Sequence, residues 1–159
     1  LLGLSAPSLR TIYQNWQIQK SVSAMESTLL YGRSEAVRRG GKVILQRQVD
    51  TEQSCPTTNA QTNWNCGWLL FFDANGDGIW GTGDTQVHQV ALRAGVAVSN
   101  HLGSTTLHFD RFGLISEVRQ VDTPLFNFAP KLGASSTNSR TLCMDTSGLM
   151  RSRIGTSCL

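Results

Sequence analysis

The stretch WLLFFDANGDGIWGTGD, Trp68–Asp84, decides the fold. Asp73, Asn75, Asp77 and Asp84 place oxygen-bearing side chains at the first, third, fifth and twelfth positions of a loop, with Gly78 at the sixth. That is the ligand pattern of a helix–loop–helix calcium site, in which the Ile79 carbonyl would add a further oxygen. Calcium takes six to eight oxygens, and the twelfth position normally carries a bidentate Glu. Here it is Asp84, and the run into the loop, Gly67–Phe72, is aromatic and Leu-rich with no helical period. Such a run reads as a central strand. Asp, Asn and Gly are also what a long hairpin turn demands without any ion. A metal-free β-hairpin is therefore the preferred reading, with calcium on Asp73, Asn75, Asp77, Ile79 and Asp84 as the alternative. Trp80 at the tip is expected to pack back onto the sheet.

Outward from the hairpin, the chain divides in two. Residues 1–39 carry a helical pattern from Pro7 to about Arg39, in which Leu9, Ile12, Tyr13 and Trp16 are followed by Ile18, Val22, Met25 and Leu29 with a drift in phase. Pro7 suits a first helical turn. Arg38 and Arg39 followed by Gly40 and Gly41 read as a stop: cations at the negative end of the helix dipole, then a left-handed cap. A helix of about thirty residues spans ~45 Å, more than a small domain needs, so one end is expected to project. Residues 40–159 read as strands: 42–48, 67–72, 86–92, 95–99, 105–110, 114–121, 140–145 and 149–154. A long polar connection is expected over 122–139, where Pro124 and Pro130 fall. One helix followed only by strands predicts an α+β fold, the helix laid across antiparallel sheet.

Composition narrows the function. The chain has 159 residues, 16% charged and 40% hydrophobic, with a net charge of +3. It suits a single folded domain, and the charge is too mild to argue nucleic-acid or membrane binding by itself. The four cysteines have no Cys-x-x-Cys spacing and no neighbouring His, so disulfides in an oxidising compartment are expected rather than zinc. Local pairing, Cys55–Cys66 and Cys143–Cys158, is preferred over the other pairings and over four free thiols. His88, His101 and His108 fall in no catalytic motif, and no serine or cysteine sits in a nucleophile motif. No catalytic residue, and no enzyme, is expected.

Together the blocks GRSEAVRRGGKVIL (Gly32–Leu45), CGWLLFFDANGDGIWGTGD (Cys66–Asp84), LHFDRFGLI (Leu107–Ile115) and RTLCMDTSGLMRSR (Arg140–Arg153) resemble the GspH/FimT/FimU family of minor pilins and pseudopilins. The resemblance covers almost the whole chain. It implies a type IV pilin-like fold with a long N-terminal helix on antiparallel sheet. It also implies an inner-membrane, single-pass anchor upstream of Leu1, a periplasmic head, and later a place in a cell-surface pilus. Pro7 would match the proline near the membrane surface. The expected partners are other major and minor pilins, met through the helix, and the expected role is pilus assembly near the tip. The alternatives are a DNA-binding minor pilin used in natural transformation and a type II secretion minor pseudopilin.

Some FimT-like relatives bind DNA through a Gly-Arg-x-Arg motif near the C-terminus. Here Leu149 and Met150 separate Gly148 from Arg151-Ser152-Arg153. Arg140, Arg151 and Arg153, with Lys131 before them, are the candidate phosphate contacts, and solvated surface arginines are the preferred reading. DNA is a partner only under the alternative, and no cofactor other than calcium is suggested.

Overall fold

The computed structural model describes residues 6–49, 60, 62–92, 95–131 and 138–158. Helix α1 runs over Ala6–Arg39. Among the described residues eight strands follow: β1 Val43–Arg47, β2 Gly67–Phe72, β3 Thr85–Ala91, β4 Val96–Asn100, β5 Thr106–Phe109, β6 Thr123–Pro130, β7 Arg140–Met144 and β8 Met150–Ile154. They form two four-stranded sheets, ordered β3-β2-β1-β5 and β4-β6-β7-β8, and every pairing is antiparallel.

The helix ends as its residues dictate. Gly40 and Gly41 take positive φ values of 76° and 103°. The Gly41 N–H then donates to the Ala36 carbonyl at 2.8 Å, which satisfies a carbonyl that the last turn leaves unpaired. Glu35 sits between Arg38 and Arg39, at 2.7 Å from each. The two arginines complement the negative end of the helix dipole.

One face of α1 makes the core. Ile18, Val22, Met25, Leu29 and Ala36 are all buried against the sheets, and Gly32 completes their row. A Cβ at Gly32 would stand 2.7 Å from the Phe109 ring and 3.1 Å from Leu70, so glycine lets the first sheet close on the helix. From the sheets come Val43, Leu45, Trp68, Leu70, Leu107, Phe126, Phe128 and Leu142. The buried tryptophan N–H groups are matched, whereas the Asn100 Nδ2 amide is buried with no hydrogen-bond partner among the described residues. Trp68 Nε1 donates to Thr28 Oγ1 at 3.0 Å, whose hydroxyl donates to the Ala24 carbonyl at 2.8 Å. Trp64 Nε1 donates to the Ser104 carbonyl at 3.1 Å.

Two sequence expectations fail. Residues 114–121 are not a strand. Asp110 Oδ1 captures the N–H groups of Phe112 and Leu114 at 2.8 and 2.9 Å, so the chain turns back at Gly113. Ile115 makes one bridge to Phe109, and Val121 is exposed rather than alternating into the core. Conversely, the connection expected over 122–139 contains β6, paired on both sides in the second sheet. Leu125, Phe126 and Phe128 are fully buried there. The prolines do not interrupt it, because Pro124 lies at a bulge and Pro130 is the last strand residue. Those are the places where a strand tolerates proline.

Candidate functional site

The apolar residues at the start of α1 do not extend the core row. At roughly 100° per residue, Leu9, Ile12, Tyr13 and Trp16 centre about 160° round the helix from Ile18, Val22, Met25 and Leu29. They are 58–64% exposed. What reads in sequence as drift is a change of face: the first stripe lies on the side of the helix opposite the core row. Tyr13 and Trp16 stack with their ring centres 6.3 Å apart, and Lys20 Nζ lies 5.4 Å from the Trp16 ring centre. Further along, Leu30 and Tyr31, also exposed, return to this side. No described helix is long and apolar enough to cross a membrane.

The Asp73–Asp84 loop joins β2 to β3, two strands of one sheet. One oxygen from each of Asp73, Asp77 and Asp84 lies within 4.8 Å of the others. All of these carboxylate oxygens are engaged within the loop. Asp73, which is buried, accepts the N–H groups of Gly76 and Gly78 at 2.7 and 3.0 Å. Asp77 accepts from Ile79 N–H and from the Asn75 amide at 3.0 and 2.9 Å. Asp84 accepts from Ala74 and Gly81 N–H at 3.1 and 2.9 Å. Gly76 and Gly78 have φ values of 80° and 82°, which suit glycine. The loop folds back over the outer sheet face, where Ile44, Leu69 and Phe71 form a small buried cluster. Trp80 covers it, its ring centre 5.5 Å from that of Phe71, and its main-chain N–H donates to Gln46 Oε1 at 3.0 Å.

The candidate phosphate contacts are divided between two faces. Arg140 pairs with Ile154, whereas Arg153 and Arg151 pair with Thr141 and Cys143. Directly opposed residues share a face, so Arg140 faces the helix and the other two face outward. On the helix, burial pushes the Glu26 carboxyl up, and the Arg140 charge partly offsets this. Arg151 is 3.0 Å from Asp122 in an ion pair. Lys131 lies at the far end of β6, its N–H on the Gly95 carbonyl at 2.9 Å. The arrangement has no single basic surface carrying all four.

Cys143 is joined to Cys158. The link folds the C-terminal segment over the outer face of β7, where the Thr141 hydroxyl donates to the Gly155 carbonyl at 2.7 Å. Cys66 is also disulfide-bonded; Cys55 lies outside the described residues. The histidines are apart in role. His88 meets the Tyr31 ring edge-on at 6.2 Å, His108 Nδ1 lies 2.6 Å from Glu117, and the His101 N–H donates to the Leu125 carbonyl.

The family model for "Type II transport protein GspH" matches residues 21–152. No match was found among curated proteins. Two crystal structures of the Pseudomonas aeruginosa (strain PAO1) type IV minor pilin FimU have the same fold. One is 16% identical with a TM-score of 0.58, covering 89% of this chain and 99% of FimU. The other is 18% identical with a TM-score of 0.59, covering 89% and 95%. The long helix on antiparallel sheets is thus the type IV pilin fold, and the chain belongs to the GspH family of minor pilins and pseudopilins.

Proposed function

We propose that this protein is a structural minor pilin that helps to prime a type IV pilus near its tip, joined to other pilins through α1. The observation that carries this reading is the outward stripe of Leu9, Ile12, Tyr13 and Trp16. Four large apolar side chains on one exposed helix face cost solubility with no return inside the head. Against neighbouring helices they would each contribute about 1.5–3 kcal/mol of burial as an upper figure. In this reading the helix enters the filament core and is anchored upstream in the inner membrane before assembly. The head stands in the periplasm and then at the cell surface.

A secretion pseudopilus is the second reading, favoured by the description of the matching family. One experiment tests both. Trp16→Lys and Ile12→Asp, introduced into the full-length protein in its own cells, are expected to leave the head folded and to abolish assembly. Loss of surface pili with secretion intact supports the pilus. Loss of secreted enzymes with pili intact supports the pseudopilus. Both processes at parental levels would end the filament reading.

A further inference from the structure

The two sheets end in four edge strands, β3 and β5 in one, β4 and β8 in the other. An edge strand presents unpaired main-chain groups to any extended chain that meets it. Three of these edges are closed or guarded. On β5 the His108 carbonyl accepts the Ser116 N–H at 2.9 Å, and the His108 N–H donates to the Glu117 carboxylate at 3.1 Å. On β4 the Val98 carbonyl takes the Trp64 N–H at 2.9 Å and the Val98 N–H reaches Asn65 Oδ1 at 2.7 Å. On β8 the exposed Arg151 and Arg153 carry charge along the rim, a common guard against strand addition.

Among the described residues β3 has neither protection. Its sequence, TQVHQVA, holds no charged residue and no proline, and the strand is mostly exposed. Just past its end, the Leu92 N–H donates to the Cys66 carbonyl beside β2. By antiparallel alternation, the main-chain groups of Gln89 and Ala91 point to the open side. They have no partner among the described residues. Beside this edge lies a groove of about 450 Å³ between α1 and the end of β3, walled by Tyr13, Trp16, Lys20, Ala24, Val90 and Leu92. Val90 opposes Trp68 and faces the helix. A strand added some 4.8 Å beyond β3 would therefore turn every second side chain into the groove.

We propose that β3 accepts an added strand from the neighbouring subunit of the filament, with small apolar side chains at alternate positions and a carboxylate that meets Lys20. The inference rests on the filament reading above and says which further surface the neighbour uses. Main-chain hydrogen bonds to Gln89 and Ala91 supply affinity, and the groove supplies selectivity. Among the described residues Lys20 is the one charged side chain lining the groove, which sets the sign of the partner's charge. Tyr13 and Trp16 belong both to the groove and to the outward helix stripe, so one neighbour can cover both. The neighbour is a different protein. Two copies paired antiparallel through β3 would be related by a two-fold axis through the sheet, which runs their helices in opposite directions. Subunits anchored through the same helix end in one filament cannot adopt that arrangement.

The test places a photo-crosslinking amino acid at Gln89, and separately at Trp16, in the full-length protein in its own cells. The Gln89 site is expected to capture another pilin subunit through an extended segment. Ala91→Pro removes an N–H that makes no bond to β2, so it is expected to cut that capture at least tenfold while leaving the melting temperature unchanged. Ala91→Lys, which keeps the N–H and adds a guarding charge, takes its place if proline lowers the melting temperature. Lys20→Glu is expected to weaken capture as well. Capture at Trp16 with none at Gln89 overturns the added strand and leaves the filament reading standing. Capture at neither position overturns both. Capture of a second copy of this chain, or capture indifferent to the Ala91 variants, overturns the proposal.

Discussion

The Phe109 ring occupies the space that a side chain at Gly32 would need: a Cβ there would come within 2.7 Å of its Cζ atom. Gly32 stands in the core row between Leu29 and Ala36, and Phe109 on β5 is buried at the sheet edge nearest it. Glycine inside a helix costs about 1 kcal/mol relative to alanine. The contact shows what that cost secures, a close approach of helix and sheet. Gly32→Ala is expected to destabilise the head by about 1–3 kcal/mol through overpacking despite its better helix propensity. Denaturant unfolding should show it, and Phe109→Leu in the same chain should recover part of the loss. A Gly32→Ala variant more stable than the parent would mean that the ring moves aside freely.

The helix, its stop at Gly40 and Gly41, and the Trp68–Asp84 hairpin are all legible in the sequence, because each is set by near neighbours. Periodicity, two glycines in left-handed geometry and Asx turns need no tertiary information. The failures are long-range. Pro124 and Pro130 look like breakers until β7 and β4 supply the ladder that places one at a bulge and the other at a strand end. The segment after Gly113 looks like a return strand until Asp110 and Glu117 take its place at the edge of β5. The two faces of α1 are legible in principle, since the phase change between Trp16 and Ile18 is written in the spacing. That β3 is an open edge is not, because strand order is invisible from one chain; its lack of charge is the only local sign.

The Asp73 loop supports itself. Asp73→Ala would strand the N–H groups of Gly76 and Gly78, and is expected to lower stability by about 1–3 kcal/mol. The expected response to calcium is none. The carboxylate oxygens already accept hydrogen bonds, and Asp84 lacks the reach of the usual glutamate. An ion bound a hundredfold below its working concentration would add about 2.7 kcal/mol, which a melting curve resolves easily. Equal melting temperatures in EDTA and in millimolar calcium confirm the metal-free hairpin. A rise with calcium that Asp73→Ala abolishes would instead establish the site.

Glu35 links acid pH to the helix end. Hydrogen bonds from Arg38 and then Arg39 hold its carboxyl below the ordinary value of 4.5. A carboxyl with a depressed folded-state pKa contributes stability that is present above the unfolded value and is lost as pH falls through the folded one. Arg38 is well exposed, so the contribution is that of a surface pair, about 0.5–1 kcal/mol. Glu35→Gln is expected to lower stability by that amount at pH 7. The gap between parent and variant should close as pH falls below 4.5. A gap that persists at pH 2 would assign the effect to packing rather than charge.

Cys143 and Cys158 are separated by 15 residues, and their link ties the end of the chain to β7. Closing a loop of that length is worth about 3 kcal/mol in the chain-entropy account. The link also keeps the C-terminal segment over Thr141, whose hydroxyl accepts from the Asn127 amide at 3.0 Å and donates to the Gly155 carbonyl at 2.7 Å, an acceptor it loses if the segment leaves. Cys143→Ala with Cys158→Ala is therefore expected to destabilise the head by about 3 kcal/mol or somewhat more, since a burial term adds to the entropic one. Denaturant curves of parent and double variant measure the loss. Proteolysis separates the two contributions. If the segment stays docked without the link, the variant is lost to global unfolding only, and cleavage after Arg151 and Arg153 tracks the melt. If the link alone holds it, trypsin removes the segment well below the melting temperature. The second outcome is expected, because β8 is an edge strand with four of its five residues exposed.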